Sequence, residues 1–248
     1  MSTRARLDSS LRGKPVSEFL KALCNLHLRL SGINFATYKP EPKLSGRLHN
    51  VLTEEEKELR DSATQICHGN SIPFWDALFG LSMTRNHFPE RFLDVAFSHT
   101  GEPPAQSSCI TRQEISDQRI ASMIRELPNG FGLVVSSRVY TKPSGRIFHI
   151  PMLDFRCPPT AGNAKAILRM LSLLGQDHGV LVESGRSFHF YGIQLLSTRE
   201  WGNFMAKALL FAPITDPRYI AHRLIDGECR LKVVDSKNGI IPRISDVF

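Results

Sequence analysis

The sequence has no apolar run approaching the roughly 20 residues that a helix needs to span a bilayer, so we expect no membrane-spanning segment. The stretch from Met1 to Lys14 is polar and basic with no apolar segment behind it, so no secretory signal is expected. The five cysteines are odd in number, scattered and never arranged as Cys-x-x-Cys. This pattern argues against a disulfide framework and a structural zinc site, and it indicates a reducing cytoplasm.

Motifs of several common enzyme classes are missing as well. The chain has no Gly-Lys-Ser/Thr phosphate loop after a predicted strand, no His-Glu-x-x-His and no Gly-x-Ser-x-Gly. The sequence therefore gives no support to a P-loop nucleotide hydrolase, a zincin-type protease or an α/β-hydrolase.

The composition is that of an ordinary globular protein, with 42 % hydrophobic and 22 % charged residues. A chain of 248 residues has room for one large domain or two small ones. The formal charge of +7 and the pI near 9.3 favour binding of a polyanion, but only where basic residues cluster on one surface. A basic surface that binds nothing is the alternative.

The first part of the chain, residues 1–90, is predicted to be a mainly helical accessory region. Apolar residues recur at helical spacing after Pro15, and Thr53 with Glu56 forms a capping box ahead of a charged helix. Residues 74–83 are a short apolar helix candidate. Residues 34–50 are rich in Pro, Gly and Lys and are predicted to form a loop.

The second part, residues 91–248, mixes strand and helix patterns. The strand candidates are residues 94–98, 132–140, 146–155, 180–183, 188–193 and 229–234. Helices are predicted after the capping residues Thr111, Asn163, Ser197 and Asp216. Residues 132–140 with 146–155, and 180–183 with 188–193, read as hairpins. The whole pattern predicts an α+β fold with a mixed or antiparallel sheet and flanking helices.

The clearest chemical motif is Ser184-Gly185-Arg186-Ser187-Phe188-His189, a glycine turn that opens onto a strand. Strand alternation places Ser187 and His189 on one sheet face and Phe188 on the other. A guanidinium, a hydroxyl and an imidazole on one surface suit the oxygens of a triphosphate. A surface turn followed by a half-buried histidine is the alternative.

Three further charged segments are candidates for the same site. Asp154 ends an apolar strand, where a carboxylate is costly unless it is paired or binds a metal; a solvent-facing strand end is the alternative. Asp216 is also a plausible helix N-cap, a structural role that would explain it. Arg230 and Lys232 alternate along a predicted strand and so point to one face, which a solvated basic surface would also explain.

The order and spacing of these segments resemble the archaeo-eukaryotic primase superfamily, which includes the small primase subunit and the primase-polymerases. The resemblance covers about residues 92–248: an Asp on a strand, a helix, Ser-Gly-Arg-x-Phe-His on a strand, and an Asp ahead of a basic strand with a Ser-Lys turn. It implies an RRM-related sheet and template-directed nucleotidyl transfer in DNA replication. It also implies Mg²⁺ or Mn²⁺ as cofactor.

Carried over by position, the resemblance assigns catalytic roles to Asp154, Asp216 and His189, with both aspartates as metal ligands. The nucleotide contacts that it implies are Arg186, Ser187, His189, Arg230, Lys232 and Lys237. The implied partners are a single-stranded nucleic-acid template, nucleoside or deoxynucleoside triphosphates, and a helicase or another replication or defence protein.

One position departs from the superfamily pattern, because the second carboxylate of its Asp-x-Asp pair falls at Arg156. Two cations about 3.5–4 Å apart need several anionic ligands, and a guanidinium cannot supply one. Glu183 is a candidate substitute ligand. Two functions therefore stay open: a primase or primase-polymerase, and a non-polymerising relative that binds nucleotide or nucleic acid as a sensor or recruiting module.

Overall fold

The computed structural model describes residues 7–39, 52–70, 72–85, 88–97, 106–234 and 241–248. Lys237, a predicted nucleotide contact, lies outside these residues. The chain divides into two compact units, Met1–Pro40 together with Pro103–Phe248, and Glu41–Glu102. The first segment of the chain and its second half thus form one unit, a boundary that does not coincide with the proposed functional division at residue 90.

The larger unit contains all the strands in the described ranges and most of the helices. The strands are β1 (Leu30–Tyr38), β2 (Gln106–Thr111), β3 (Gly132–Thr141), β4 (Ile147–His149), β5 (Met152–Asp154), β6 (Gly179–Glu183), β7 (Phe188–Gly192), β8 (Leu196–Ser197), β9 (Arg230–Val234) and β10 (Arg243–Val247). Its α-helices are α1 (Val16–Leu26), α5 (Asp117–Arg125), α6 (Ala161–Leu173), α7 (Thr198–Ala208) and α8 (Pro217–Asp226). Short 3₁₀ turns lie at Ser9–Leu11 and Leu209–Phe211.

These strands form two sheets. The six-stranded sheet has the order β2-β1-β3-β4-β8, with β9 also paired to β3, and the four-stranded sheet has the order β10-β6-β7-β5. Every strand pair in the part of the chain that the structure describes is antiparallel. The predicted α+β class is therefore confirmed, together with the two predicted hairpins, β3–β4 and β6–β7.

The sequence predicts one strand over residues 146–155, but the chain changes sheets within them. The Ile150 N–H donates to the Ser137 carbonyl oxygen at 2.8 Å on the side of β3, and the next residue, Pro151, accepts from the Gly192 N–H at 2.8 Å on the side of β7. Proline has no N–H to continue the first ladder, which is a physical reason for the break. The switch directs β5, and with it Asp154, to the edge of the four-stranded sheet.

One hydrophobic core holds both sheets and their helices together. Helix α1 buries one apolar face in it, and the inward side chains of β1, β3, β6, β7 and β9 complete it. Fully buried aromatic side chains in this core include Phe19, Phe35, Phe155, Phe190 and Tyr191. Such rings dominate the apolar area removed from water and so fix how the sheets pack.

The smaller unit is helical in its described residues. It comprises α2 (Glu54–Asn70), α3 (Phe74–Thr84) and α4 (Glu90–Phe97) around a small core of its own that includes Leu59, Leu78 and Phe92. The predicted capping box is confirmed, since Thr53 N–H donates to Glu56 Oε2 at 2.8 Å and Glu56 N–H donates to Thr53 Oγ1 at 3.3 Å. No helix in the described residues combines the length and the apolar character needed to cross a bilayer.

Four local predictions are wrong. Residues 94–97 are the end of helix α4, whose Phe92 packs in the small core, rather than a strand; Ser98 lies outside the described residues. Residues 34–38 belong to β1, because pairing with β2 and β3 outweighs the loop-like composition; residues 40–50 lie outside the description. Helix α5 is capped by Ser116 rather than Thr111, and α6 by Thr160 rather than Asn163.

Candidate functional site

Asp154 and His189 are directly opposed where β5 ends beside β7. Asp154 Oδ1 and His189 Nε2 are 3.6 Å apart, slightly beyond hydrogen-bond length. His189 is buried, whereas 34 % of the Asp154 side chain is reached by solvent. Two apolar strands in a fixed register thus place a carboxyl and an imidazole side by side at the end of β5, where solvent reaches the carboxyl.

The surroundings of Asp154 oppose its charge. Burial raises the pKa of its carboxyl to about 7, and the nearby Asp216 carboxylate adds to this rise. Lys232 and Arg156 act in the opposite direction with smaller effects. Oδ1 is enclosed and has no hydrogen-bond partner in the described residues. An enclosed polar atom without a partner is costly, because it has lost hydrogen bonds to water without replacing them.

His189 is held as the neutral imidazole. Burial lowers its pKa to about 3, and the positive charge of Lys232 adds to the effect. Nδ1 has no hydrogen-bond partner within the described ranges. A neutral imidazole carries one N–H donor and one acceptor nitrogen, so His189 can donate one hydrogen bond to a phosphate oxygen.

Asp216 reaches the site from the start of α8. Its Oδ1 accepts hydrogen bonds from the backbone N–H groups of Arg218 at 2.9 Å and Tyr219 at 3.1 Å, which confirms the predicted N-cap. A β-bridge between Phe155 and Thr215 holds this segment beside the end of β5. The sequence-predicted carboxylates at 154 and 216 are therefore brought together.

Arg156 lies where the superfamily pattern has its second carboxylate. It forms an ion pair with Asp216, which matches the third carboxylate of that pattern. Its Nε is 4.0 Å from Asp216 Oδ2, and both side chains are partly exposed. Its backbone N–H donates to the Ile214 carbonyl oxygen at 2.9 Å, which fixes its position beside Asp216. We call Asp154, Arg156, His189 and Asp216 the Asp154 site.

The turn before β7 delivers Ser187 to this site. Gly185 has a φ of 101°, a conformation that glycine adopts without strain. Ser184 Oγ donates to the Ser187 carbonyl oxygen at 3.1 Å and lies 3.1 Å from Ser187 Oγ, so the turn is closed internally. The alternation of β7, continued back by one residue, places Ser187 on the face of His189, and Arg186 is exposed at the tip.

Glu183 does not join the Asp154 site. The register of β6 and β7 pairs His189 with Val182 and Phe188 with Glu183. Because side chains alternate along a strand, Glu183 points to the opposite sheet face from His189. The register therefore excludes Glu183 as the substitute carboxylate considered from the sequence.

The basic residues of β9 differ in their surroundings. Arg230 and Lys232 share one face, as predicted. The Arg230 guanidinium is engaged by Glu228, with 2.8 Å between Arg230 Nε and Glu228 Oε1. Lys232 Nζ lies 5.8 Å from the centroid of the Tyr38 ring. Its positive charge lowers the pKa of Asp154 and that of His189. Lys232 therefore contributes positive charge to the Asp154 site.

Tyr191 lies on the same sheet face as His189 but is not part of the sequence motifs. It lies two positions beyond His189 on β7, opposite Met152, and hence on the same face. It is fully buried, and its hydroxyl has no partner among the residues that the structure describes. Burial and the Asp154 carboxylate raise its pKa. The alternation Ser-x-His-x-Tyr is the signal that could have identified it.

A family model described as archaeo-eukaryotic primase 1D-like matches residues 111–241, more than half of the chain. The chain therefore belongs to this archaeo-eukaryotic primase-like family, and the resemblance inferred from the motifs is confirmed. The matched region includes the whole Asp154 site and β9. No curated protein and no solved structure matches the chain.

Domains of this superfamily generally use divalent metal ions, which need several anionic oxygen ligands. Within the described ranges, no group of three or more His, Cys, Asp or Glu side chains is placed to hold such an ion. Asp216 uses one oxygen to cap α8 and turns the other toward Arg156. These residues do not fit a two-cation centre, and the individual metal-ligand roles of Asp154 and Asp216 stay predictions.

Proposed function

We propose that the protein binds a nucleoside triphosphate beside single-stranded nucleic acid at the Asp154 site, as a primase-like sensor or recruiting module that does not polymerise. The observation that carries the proposal is the ion pair between Arg156 and Asp216. A guanidinium at that position replaces a carboxylate on which two-cation nucleotidyl transfer depends. The family membership, and the groups near Asp154 that suit a phosphate, support the binding part of the proposal.

Several of these groups can bind phosphate oxygens directly. Neutral His189 and the Ser187 hydroxyl share one sheet face and each offer a hydrogen-bond donor. Arg186 on the exposed turn and Lys232 on β9 supply positive charge from two sides. Arg230 and Lys237 are proposed contacts to the nucleotide or the template, and the formal charge of +7 supports binding to a nucleic-acid backbone.

Template-directed nucleotidyl transfer is the second candidate function. The meeting of Asp154, His189 and Asp216, the three predicted catalytic residues, at the end of β5 favours it. In that case the protein is a primase or primase-polymerase, residues 1–90 help to hold the template, and a helicase or another replication or defence protein is its partner. A cytoplasmic location is part of both proposals.

Binding and extension assays separate the two functions. The full chain is titrated with ATP and with a fluorescently labelled single-stranded oligonucleotide. It is then incubated with primed and unprimed templates, nucleotides and Mn²⁺. We expect saturable binding of both ligands and no extended product. Extension that disappears in Asp154→Asn would establish nucleotidyl transfer instead.

Two lysines of the larger unit provide a matched pair of variants for the binding arm. Lys232 acts on the Asp154 site, whereas Lys207 is exposed on α7. Removing a charged contact to phosphate is expected to weaken ATP binding about tenfold in Lys232→Ala. Lys207→Ala should bind like the wild type. Equal affinities for both variants would place the nucleotide elsewhere.

A further inference from the structure

Arg156 puts a permanent positive charge between the end of β5 and the start of α8. An arginine side chain stays protonated throughout the physiological pH range. The main chain of Arg156 is bound to the neighbouring segment by a hydrogen bond from the Arg156 N–H to the Ile214 carbonyl oxygen, next to the Phe155–Thr215 bridge. The backbone therefore holds the start of the Arg156 side chain beside the Asp216 segment, and the ion pair with Asp216 directs the guanidinium.

The Arg156 guanidinium has hydrogen-bonding capacity to spare. Its contact with Asp216 Oδ2 is 4.0 Å long, which is an ion pair but not a hydrogen bond. Among the described residues, no side-chain hydrogen bond from Arg156 is formed, and 29 % of the side chain is exposed. A guanidinium has five N–H donors in a planar fork that matches two phosphate oxygens.

The charge balance at the Asp154 site also favours phosphate binding by Arg156. Two carboxylates, Asp154 and Asp216, are accompanied by two fixed cations, Arg156 and Lys232. A carboxylate at position 156 would leave three acids and one base, a surplus of negative charge that repels a triphosphate unless metal ions neutralise it. With arginine there, the protein itself provides the neutralising charge.

We infer that Arg156 is a built-in cation that binds the phosphates of the nucleotide directly, so that nucleoside triphosphate binding needs no divalent ion. The inference rests on the proposed binding function and adds the residue and the ion requirement to it. The incoming phosphate oxygens take the place next to the guanidinium that Asp216 Oδ2 holds only loosely. Asp216 keeps its cap through Oδ1.

Calorimetric titration of the full chain with ATP tests this, once in EDTA and once in MnCl₂. We expect wild-type affinities that agree within about threefold in the two buffers, a difference of under 1 kcal/mol. Arg156→Asp should lose about tenfold or more in EDTA, as loss of a charged hydrogen-bonding group implies, and should recover when Mn²⁺ is added. Arg156→Lys keeps the charge and should remain independent of the metal.

Arg169→Asp, an equal charge change at an exposed position of α6, is the control and should bind like the wild type. Thermal melts of all four proteins show that each is folded. Wild-type binding that requires Mn²⁺ would overturn the inference and leave the proposed function intact. Absence of ATP binding in both buffers would overturn the proposed function as well. Unchanged binding in Arg156→Asp in EDTA would remove Arg156 from the site.

Discussion

Asp154 and His189 face each other across two paired strands, and their environment moves their two pKa values toward the uncharged forms. The pKa of the acid rises to about 7, mainly through burial, and that of the base falls to about 3 for the same reason. At neutral pH the imidazole is therefore uncharged and the carboxyl is close to half-protonated. Such a pair accepts and donates hydrogen bonds without bringing a full charge pair into the core.

The raised pKa of Asp154 predicts that its ionisation destabilises the fold. The pKa is about 7 in the folded chain against an ordinary value of 3.8, so the folded state binds more protons between these values. Its favourable contribution is complete below pH 3.8 and is lost as the pH rises through 7. Asp154→Asn should therefore be more stable than the wild type at pH 8, by about 1–2 kcal/mol after allowing for partial exposure.

Urea unfolding at several pH values measures this difference. The gain in the Asp154→Asn variant should shrink steadily as the pH is lowered toward 4, where the wild-type carboxyl is protonated in the folded state. A stability difference that does not change with pH would show that the Asp154 carboxyl is not perturbed.

The lowered pKa of His189 predicts the opposite pH dependence. The folded chain holds it neutral down to about pH 3, whereas the unfolded chain protonates it near 6.5. Its contribution is complete above pH 6.5 and is lost as the pH falls toward 3. His189→Gln, which has no titrating group, should lose less stability than the wild type between pH 7.5 and 5, by on the order of 2 kcal/mol. Chemical denaturation at the two pH values checks this, and parallel losses would contradict it.

Asp216 combines a structural and an electrostatic role, and two substitutions separate them. Asp216→Asn keeps an oxygen that can cap α8, so stability should stay close to that of the wild type. Asp216→Ala removes the acceptor of two backbone N–H groups and should cost about 1 kcal/mol, with an upper end near 2. Thermal melts of the two variants make the comparison. Equal losses would show that the charge of Asp216, rather than its cap, stabilises the fold.

The Tyr191 hydroxyl is enclosed without a hydrogen-bond partner in the described ranges. Tyr191→Phe keeps the ring that packs 5.8 Å from Phe19 and removes only the unpaired oxygen. Stability should therefore be unchanged or rise by up to about 1 kcal/mol, because the penalty for burying the hydroxyl disappears. Tyr191→Ala, by contrast, should cost about 3–5 kcal/mol by leaving a cavity. A loss above about 1 kcal/mol in the phenylalanine variant would show that the hydroxyl is satisfied by water or another group.

Features encoded by neighbouring residues could be predicted from the sequence. The hairpin around Gly185, the capping box of Ser197 with Glu200, and the cap of α8 by Asp216 each depend on a few consecutive side chains. The same holds for the face shared by Ser187 and His189, since strand alternation is a local rule. These features were enough to identify the family and to predict that Asp154, His189 and Asp216 lie close together.

Features that depend on distant partners were missed. Strand β1 forms because β2 and β3 pair with it on both sides, although its surroundings in sequence look like a loop. The break between β4 and β5 needs two sheets to receive the two halves. The contact of Arg156 with Asp216 joins segments that are far apart in the chain, so the sequence showed the substitution but not its partner.

A crystal structure of the full chain with ATP, grown in EDTA, tests the central claim most directly. The account predicts phosphate oxygens within hydrogen-bond distance of the Arg156 guanidinium and of His189, with Lys232 near them and Asp216 still capping α8. ATP bound on another surface of the chain, or phosphates that contact neither Arg156 nor His189, would contradict it.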